Sequence, residues 1–193
     1  MRLFLLFIGV TFFLCNCGST HNHAGNLRSK ARQVLGLDSI YNYSKVEIAN
    51  KKLSAANRKE GSKLFLQAVD MYRNRKKPGE SIMIFKTAIT YYPTGRMYYE
   101  LGNALSDDKS YKEAITAYHM AQNTEYKPEA NIYYNLACTE ALNKDTGMAI
   151  QDLKDAIVAG YRNRKLYHGI GSEPERKVNY HTGGTPLFNP SFL

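Results

Sequence analysis

The 193-residue sequence contains no tryptophan, only six prolines and only three cysteines. The cysteines, at positions 15, 17 and 138, are odd in number, so they cannot form a disulfide framework. Six prolines and fourteen glycines are too few for a long low-complexity linker, and a hydrophobic content of 44% excludes a largely disordered chain. Since a chain of this length buries roughly 70% of its unfolded surface, it can fold without disulfides.

Signature motifs of enzymes are also missing. The sequence has no His-Glu-x-x-His zinc motif, no nucleophile elbow and no glycine-rich phosphate loop. Its five histidines are scattered, and His21 with His23 would supply only two metal ligands. We therefore expect no enzymatic activity, no metal and no cofactor. An enzyme or metal binder centred on the histidines and the C-terminal region remains a lower-ranked hypothesis.

The longest apolar run lies at the N terminus. Arg2 is followed by about a dozen mostly apolar residues and then by small and polar ones, as in a secretory signal. The run is shorter than the roughly 20 residues that a membrane-spanning helix needs. It ends in Leu-Cys-Asn-Cys-Gly at 14–18. This segment resembles the lipobox of bacterial lipoproteins, with Leu14 three positions before Cys17.

The resemblance implies that residues 1–16 are a signal peptide and that Cys17 becomes the lipidated N terminus. Asn16 departs from the Gly, Ala or Ser that the family prefers, and an ordinary cleaved signal is the alternative. Lipidation would anchor the protein in the bacterial cell envelope. Gly18 follows Cys17, where some lipoproteins retained at the inner membrane have Asp. We therefore favour the outer membrane or its periplasmic side.

The middle of the chain repeats itself. Tyr98 and Tyr133 lie 35 residues apart, and so do the pairs 101/136, 114/149, 118/153 and 121/156. An earlier copy, offset by 33, contains Phe65, Tyr72 and Phe85. Apolar residues spaced by three and four predict two amphipathic helices in each copy. Because two short helices cannot bury both apolar stripes alone, the copies should stack into a solenoid.

The pattern and its period resemble the tetratricopeptide repeat (TPR). The clearest copy carries Tyr98, Leu101, Gly102, Leu105, Ala114, Tyr118 and Ala121. The resemblance implies an all-α fold, a short right-handed solenoid of about three helix-turn-helix repeats over residues 62–163. The expected repeats are 62–94, 95–129 and 130–163.

The flanks of the repeats are less regular. We expect a lipidated N terminus and spacer over 17–43, with a short helix near 27–35. Capping-box spacing at 44–47 predicts an N-terminal helix within 44–61. Residues 164–193 contain several glycines and prolines and are expected to form an irregular tail. Apolar residues near its end, including Leu187 and Phe188, could dock onto the solenoid.

Charge is divided along the chain. Residues 17–77 carry 13 basic and 4 acidic side chains, whereas residues 78–160 carry 7 basic and 11 acidic ones. A basic end next to a lipid anchor would be attracted to anionic headgroups. Nucleic acid is not an expected partner, because the basic region lacks base-stacking or phosphate-binding motifs.

In TPR solenoids the first helix of each repeat lines a concave groove, which implies a protein or peptide ligand. Carried over to this sequence, the groove residues are Lys63, Leu66, Asp70 and Arg73, then Arg96, Tyr99, Asn103 and Ser106, then Asn131, Tyr134, Cys138 and Ala141. Tyr99 and Tyr134 would supply apolar area with a polar tip, while the asparagines could pair with peptide groups. The alternative is that these tyrosines pack between neighbouring helices.

Two functions of different kinds follow. The first is an envelope-anchored adaptor that holds another protein, or a peptide segment of one, in the repeat groove. Envelope or outer-membrane assembly is one process that such an adaptor would serve. The second is a structural component that self-associates, including as a homo-oligomer, or joins a fixed complex through its convex face or tail.

Overall fold

A computed structural model describes residues 30–162, and this part of the chain is entirely helical apart from turns and short connections. A 3-10 turn at Leu37–Ser39 precedes the first helix, and a π-helical turn at Asp70–Asn74 extends the second. The seven α-helices in this region are α1 (Tyr43–Lys51), α2 (Ala55–Val69), α3 (Pro78–Tyr91), α4 (Gly95–Asp107), α5 (Tyr111–Asn123), α6 (Glu129–Leu142) and α7 (Thr146–Val158).

Helices α2 to α7 form three consecutive pairs, each packed on the next. The first repeat is α2 with α3, the second α4 with α5, and the third α6 with α7. This arrangement confirms the expected all-α, TPR-like solenoid. The second and third repeats lie close to their expected ranges.

Local sequence explains where the helices begin and end. The side chains of Ser54, Thr94 and Asp145 accept hydrogen bonds from backbone N–H groups in the first turns of α2, α4 and α7. Such caps satisfy donors that have no partner within the helix. Gly160 follows α7 with a positive φ of 88°, a conformation that glycine adopts readily. Glu125, 35 residues earlier, adopts the same left-handed conformation after α5.

The core is densest around α4. Every residue from 97 to 106 is buried, because helices lie on several sides of α4. Gly102 permits the closest approach within the second repeat: a Cβ built at this position would lie 2.6 Å from Cε1 of Tyr118. A small residue at this position therefore lets the paired helices approach closely.

The predictions for the N-terminal flank were partly wrong. The helix expected within 44–61 is two helices, since α1 ends at Lys51 and α2 begins at Ala55. The first repeat therefore starts before residue 62. Its first turns use small and polar buried residues, Asn57 and Gly61, instead of the large apolar residues that reveal a helix in a sequence.

Residues 30–43 are not a free spacer. Leu35 and Ile40 are buried, and the carbonyl of Ile40 accepts a hydrogen bond from the Tyr98 hydroxyl at 2.5 Å. The backbone N–H groups of Val34 and Leu35 donate to the carbonyl of Thr90. The described part of the helix expected near 27–35 is not helical. This segment packs along the repeats instead of merely connecting them to the N terminus.

Candidate functional site

Side-chain contacts link the first helices of the three repeats, α2 with its π-helical extension, α4 and α6, and we call these elements the first-helix layer. The guanidinium group of Arg73 joins the first repeat to Glu100 on α4. Ser106 on α4 lies within hydrogen-bonding distance of Thr139 on α6, at 3.1 Å. The layer carries all the predicted groove residues, but it presents them to solvent very unequally.

The structure buries the two predicted groove tyrosines. Tyr99 is 8% exposed and Tyr134 is 4% exposed. Tyr99 stacks on Tyr126 with ring centroids 4.4 Å apart, and Tyr134 stacks on Tyr161 with centroids 4.0 Å apart. Both tyrosines therefore pack between neighbouring elements, which was the alternative to a role in the groove.

The stacking partners are residues that the sequence analysis missed. Tyr126 and Tyr161 each follow the second helix of a repeat and lie 35 residues apart. Tyr92 occupies the corresponding place after α3, where the guanidinium carbon of Arg58 lies 5.4 Å from the centre of its ring. The same period that identified the repeats could therefore have identified this aromatic position.

A buried polar network connects the second and third repeats. Asn135 on α6 donates to the side-chain carbonyl of Asn103 at 2.8 Å and to the hydroxyl of Tyr99 at 3.0 Å. The hydroxyl of Tyr118 also donates to Asn103, at 2.8 Å. Since the polar atoms of Asn103 are used inside the protein, this predicted groove residue has a structural role here.

The network continues into the first repeat through Arg73. Its Nη2 atom lies 2.6 Å and 2.8 Å from the two carboxylate oxygens of Glu100, and Asn103 donates to the same carboxylate at 3.3 Å. Because Glu100 is buried, this charge needs a partner inside the protein. Arg73 is therefore engaged in holding two repeats together.

A second buried acidic pair lies in the third repeat. Glu140 on α6 and Asp152 on α7 are buried neighbours, and each keeps one buried oxygen without a hydrogen-bond partner in the described part of the chain. Burial, and then the neighbouring Asp152, raise the pKa of Glu140 to about 8. Burial also raises the pKa of Asp152, although His119 on α5 opposes this shift. The pair therefore retains a proton at neutral pH.

The remaining candidates for chemistry have ordinary structural roles. Burial raises the pKa of the Cys138 thiol to about 11, so it stays protonated at neutral pH and is a poor nucleophile. His119 is exposed and contacts Gln122. No group of three potential metal ligands occurs between residues 30 and 162. Cys17, His21 and His23 lie outside the described residues, as do most of the expected spacer and the tail.

Some large side chains of the layer are accessible on α2 and at the start of α4. Leu66 is 67% exposed, and Lys63 and Arg96 are also exposed. The guanidinium carbon of Arg96 lies 5.6 Å from the centre of the Phe65 ring, which fixes the position of this cation. We call these three residues, Lys63, Leu66 and Arg96, the basic patch.

Acidic residues near the basic patch are already paired. Hydrogen bonds from Asn74 and Arg75 lower the pKa of the nearby predicted groove residue Asp70. Glu60 lies 3.5 Å from Lys63. Within the described residues, Arg96 forms no ion pair. The patch therefore presents an apolar side chain beside a cation available to an incoming carboxylate.

In the third repeat, Asn131 and Cys138 are partly exposed and Ala141 is exposed. These side chains are small, and they continue the first-helix layer beyond the buried tyrosines. The structure thus assigns the predicted groove residues to two groups. The buried group is Tyr99, Asn103, Ser106 and Tyr134. The residues that reach the surface in whole or in part are Lys63, Leu66, Asp70, Arg73, Arg96, Asn131, Cys138 and Ala141.

Comparison with known proteins identifies one repeat directly. Residues 95–119 match the family model of the tetratricopeptide repeat, and they correspond to α4 and the first part of α5. No curated protein and no solved structure matches the chain. The tetratricopeptide repeat is a protein-interaction fold, which supports a protein as the partner. Among the described residues, no helix is both long and apolar enough to cross a membrane.

Proposed function

We propose that this protein is a lipid-anchored adaptor of the bacterial cell envelope that binds a segment of another protein on its first-helix layer. The observation that carries the proposal is the basic patch on a rigid stack of repeats. Leu66 is a large apolar side chain left in solvent, and it lies on the layer that TPR proteins use for binding. No catalytic role is part of the proposal.

The chemistry of the basic patch indicates the kind of segment it would bind. Lys63 and Arg96 favour carboxylates, and Leu66 favours an apolar side chain. The networks beneath them use their polar groups internally, so the layer is pre-organised and loses little entropy when it binds. An extended segment that combines one apolar residue with acidic neighbours fits these features.

Capture of the partner tests the adaptor function. The full-length protein is purified from gently solubilised membranes, and the proteins that accompany it are identified by mass spectrometry. We expect a partner with the native protein that is lost with Leu66→Glu/Arg96→Glu. These positions are exposed, whereas substitution of Tyr99 or Tyr134 would disturb the packing of the repeats.

Met83→Glu/Lys112→Glu is the matched control. Both residues are exposed on second helices, and the double substitution changes the net charge by the same amount. The control should keep the partner. An identical set of proteins with both variants would contradict binding at the basic patch and would favour a fixed complex formed through another face. The absence of any partner would contradict the adaptor function.

Membrane anchoring has a separate test. The sequence at 14–18 supports lipidation of Cys17, and the basic residues of 17–77 would lie beside the anchor. Mass spectrometry of the mature protein should show an N-terminal Cys17 carrying acyl chains, and Cys17→Ser should move the protein out of the membrane fraction. An unmodified thiol at the mature N terminus would contradict the anchor without affecting the adaptor proposal.

A further inference from the structure

The outer surface of α7, the last helix within residues 30–162, carries several exposed apolar side chains. Ile150, Leu153 and Ile157 follow one another at spacings of three and four residues, so they lie on one side of the helix. They are 52%, 43% and 59% exposed, respectively. We call these three residues the α7 stripe.

The preceding repeat shows what the α7 stripe lacks. Leu153 occupies the position of Tyr118 on α5, and Tyr118 is fully buried because it packs against its own first helix, α4, and because another first helix, α6, packs beyond α5. Nothing within residues 30–162 packs beyond α7 in the same way. Stacked repeats normally end in a unit with a polar outer face.

The last residues of α7 are also more apolar than the corresponding residues of α5. Where α5 ends in Gln122 and Asn123, α7 has the apolar residues Ile157 and Val158. Both are exposed. Apolar side chains at these positions would not stabilise a helix whose surface faces water. They would stabilise a helix whose surface is covered by another segment, because they would then be buried.

We propose that the α7 stripe is covered by the chain's own residues 163–193, with the apolar residues at 187–193 as the main contacts. The 31 residues of this segment follow α7 directly after Arg162. The 24 residues before position 187 can extend roughly 80 Å, far more than the roughly 20 Å length of α7. The segment can therefore return along the whole helix.

Charge favours the same occupant. Residues 129–162 carry five acidic and three basic side chains, whereas residues 163–193 carry four basic and two acidic ones. The apolar residues of the segment include Leu187, Phe188, Phe192 and Leu193. The α7 stripe thus lies on an acidic repeat. The segment that follows it in the chain is basic and has apolar residues near its end, so the two are complementary in charge and in hydrophobicity.

Thermal unfolding of the purified full chain, followed by circular dichroism, tests the proposal. Leu153→Glu/Ile157→Glu should lower the Tm by about 5 °C or more, because the charges would replace buried apolar contacts. The control Leu66→Glu/Met83→Glu places the same charges on two other exposed apolar positions and should shift the Tm by no more than about 2 °C. Equal shifts in the two variants would overturn the proposal.

A spectroscopic probe measures the contact itself. Because the chain has no tryptophan, Phe188→Trp introduces a single fluorophore of this kind. Its emission should be blue-shifted in the otherwise native chain and should move to the red when Leu153→Glu/Ile157→Glu is added. An emission maximum typical of a solvent-exposed tryptophan in the otherwise native chain would contradict the contact. An emission maximum that the added charges leave unchanged would contradict it as well. A blue shift that appears only at high protein concentration, together with a dimer by light scattering, would assign the stripe to a second copy and overturn the proposal.

Discussion

One nitrogen of Arg73, in the first repeat, lies 2.6 Å and 2.8 Å from the two carboxylate oxygens of Glu100, in the second. Glu100 is buried, while the side chain of Arg73 is 27% exposed. The pair joins consecutive repeats from beneath the proposed binding face. Its strength therefore bears on the rigidity of that face.

Removing the cation alone should lower the free energy of unfolding more than removing both charges of the pair. We expect Arg73→Met to lower the free energy of unfolding by about 2–3 kcal/mol, because Glu100 would remain buried without its cation. Adding Glu100→Gln should recover most of this loss. Chemical denaturation of the two variants measures the difference. Arg75→Met breaks the exposed pair with Asp70 and should cost less than about 1 kcal/mol. A similar loss for Arg75→Met would contradict the special importance of the buried pair.

The close contact at Gly102 leads to a second prediction. Gly102→Ala should destabilise the protein by about 1–3 kcal/mol, because the new methyl group would overlap the ring of Tyr118. The corresponding positions in the third repeat, 35 residues later, hold a slightly larger residue, Ala137, and a smaller one, Leu153. In a double-mutant cycle measured by denaturation, the penalty of Gly102→Ala should therefore shrink in a Tyr118→Leu background. An unchanged penalty would show that the tyrosine ring is not the obstacle.

Replacing either of two glycines that have no close neighbours with alanine should change the stability of the protein in opposite directions. Gly160 ends α7 with a φ of 88°, whereas Gly147 lies inside the first turn of α7, and a Cβ at either position would meet no atom within 4 Å. Gly160→Ala should cost about 1 kcal/mol because alanine is strained in the left-handed region. Gly147→Ala should stabilise the protein by up to about 1 kcal/mol through its higher helix propensity. Thermal melts that show the same sign for both would contradict this assignment.

The buried acidic pair in the third repeat predicts a pH-dependent stability. The pKa of Glu140 is about 8 in the folded protein and about 4.5 when free of these surroundings. Between these values the folded state binds a proton that the unfolded state has released, so the free energy of unfolding falls as the pH rises. Glu140→Gln should flatten this slope and stabilise the protein most near pH 8. Asp145, His119 and Asp155 also influence the pair and contribute smaller terms of both signs.

Denaturation of the wild-type protein and Glu140→Gln at a series of pH values between about 4.5 and 8 measures the slope. The control is Glu129→Gln, which removes an exposed carboxylate from the same helix. It should leave the slope nearly unchanged. Parallel pH profiles for the wild-type protein and Glu140→Gln would show that the pair does not retain its proton.

The predicted helix pairs were correct in the second and third repeats because their apolar residues recur at a spacing of 35. The start of the first repeat was wrong because α2 begins with small and polar residues, which a search for apolar stripes does not detect. Gly61 is nevertheless needed there, since a Cβ at this position would lie 2.4 Å from Cβ of Tyr92. A backbone approach of this kind is visible only when both elements are in place.

The candidate site shows the same limit more sharply. Tyr98 and Tyr99 point to different sides of α4, and only Tyr99 was predicted to lie in the groove. Both are buried, since α4 has neighbours on several sides. Accessible residues such as Leu66 and Arg96 were in the predicted set, but the sequence did not separate them from the buried ones.

The sequence by itself determined the helical repeat, its approximate boundaries and the layer on which the candidate residues lie. These properties depend on local periodicity, which neighbouring residues along the chain express directly. Only the tertiary structure decided which residues of that layer reach solvent, which polar groups pair across repeats, and that α7 is left with an apolar stripe. Burial and pairing depend on what packs against a helix from elsewhere in the chain, and periodicity within one helix does not contain that information.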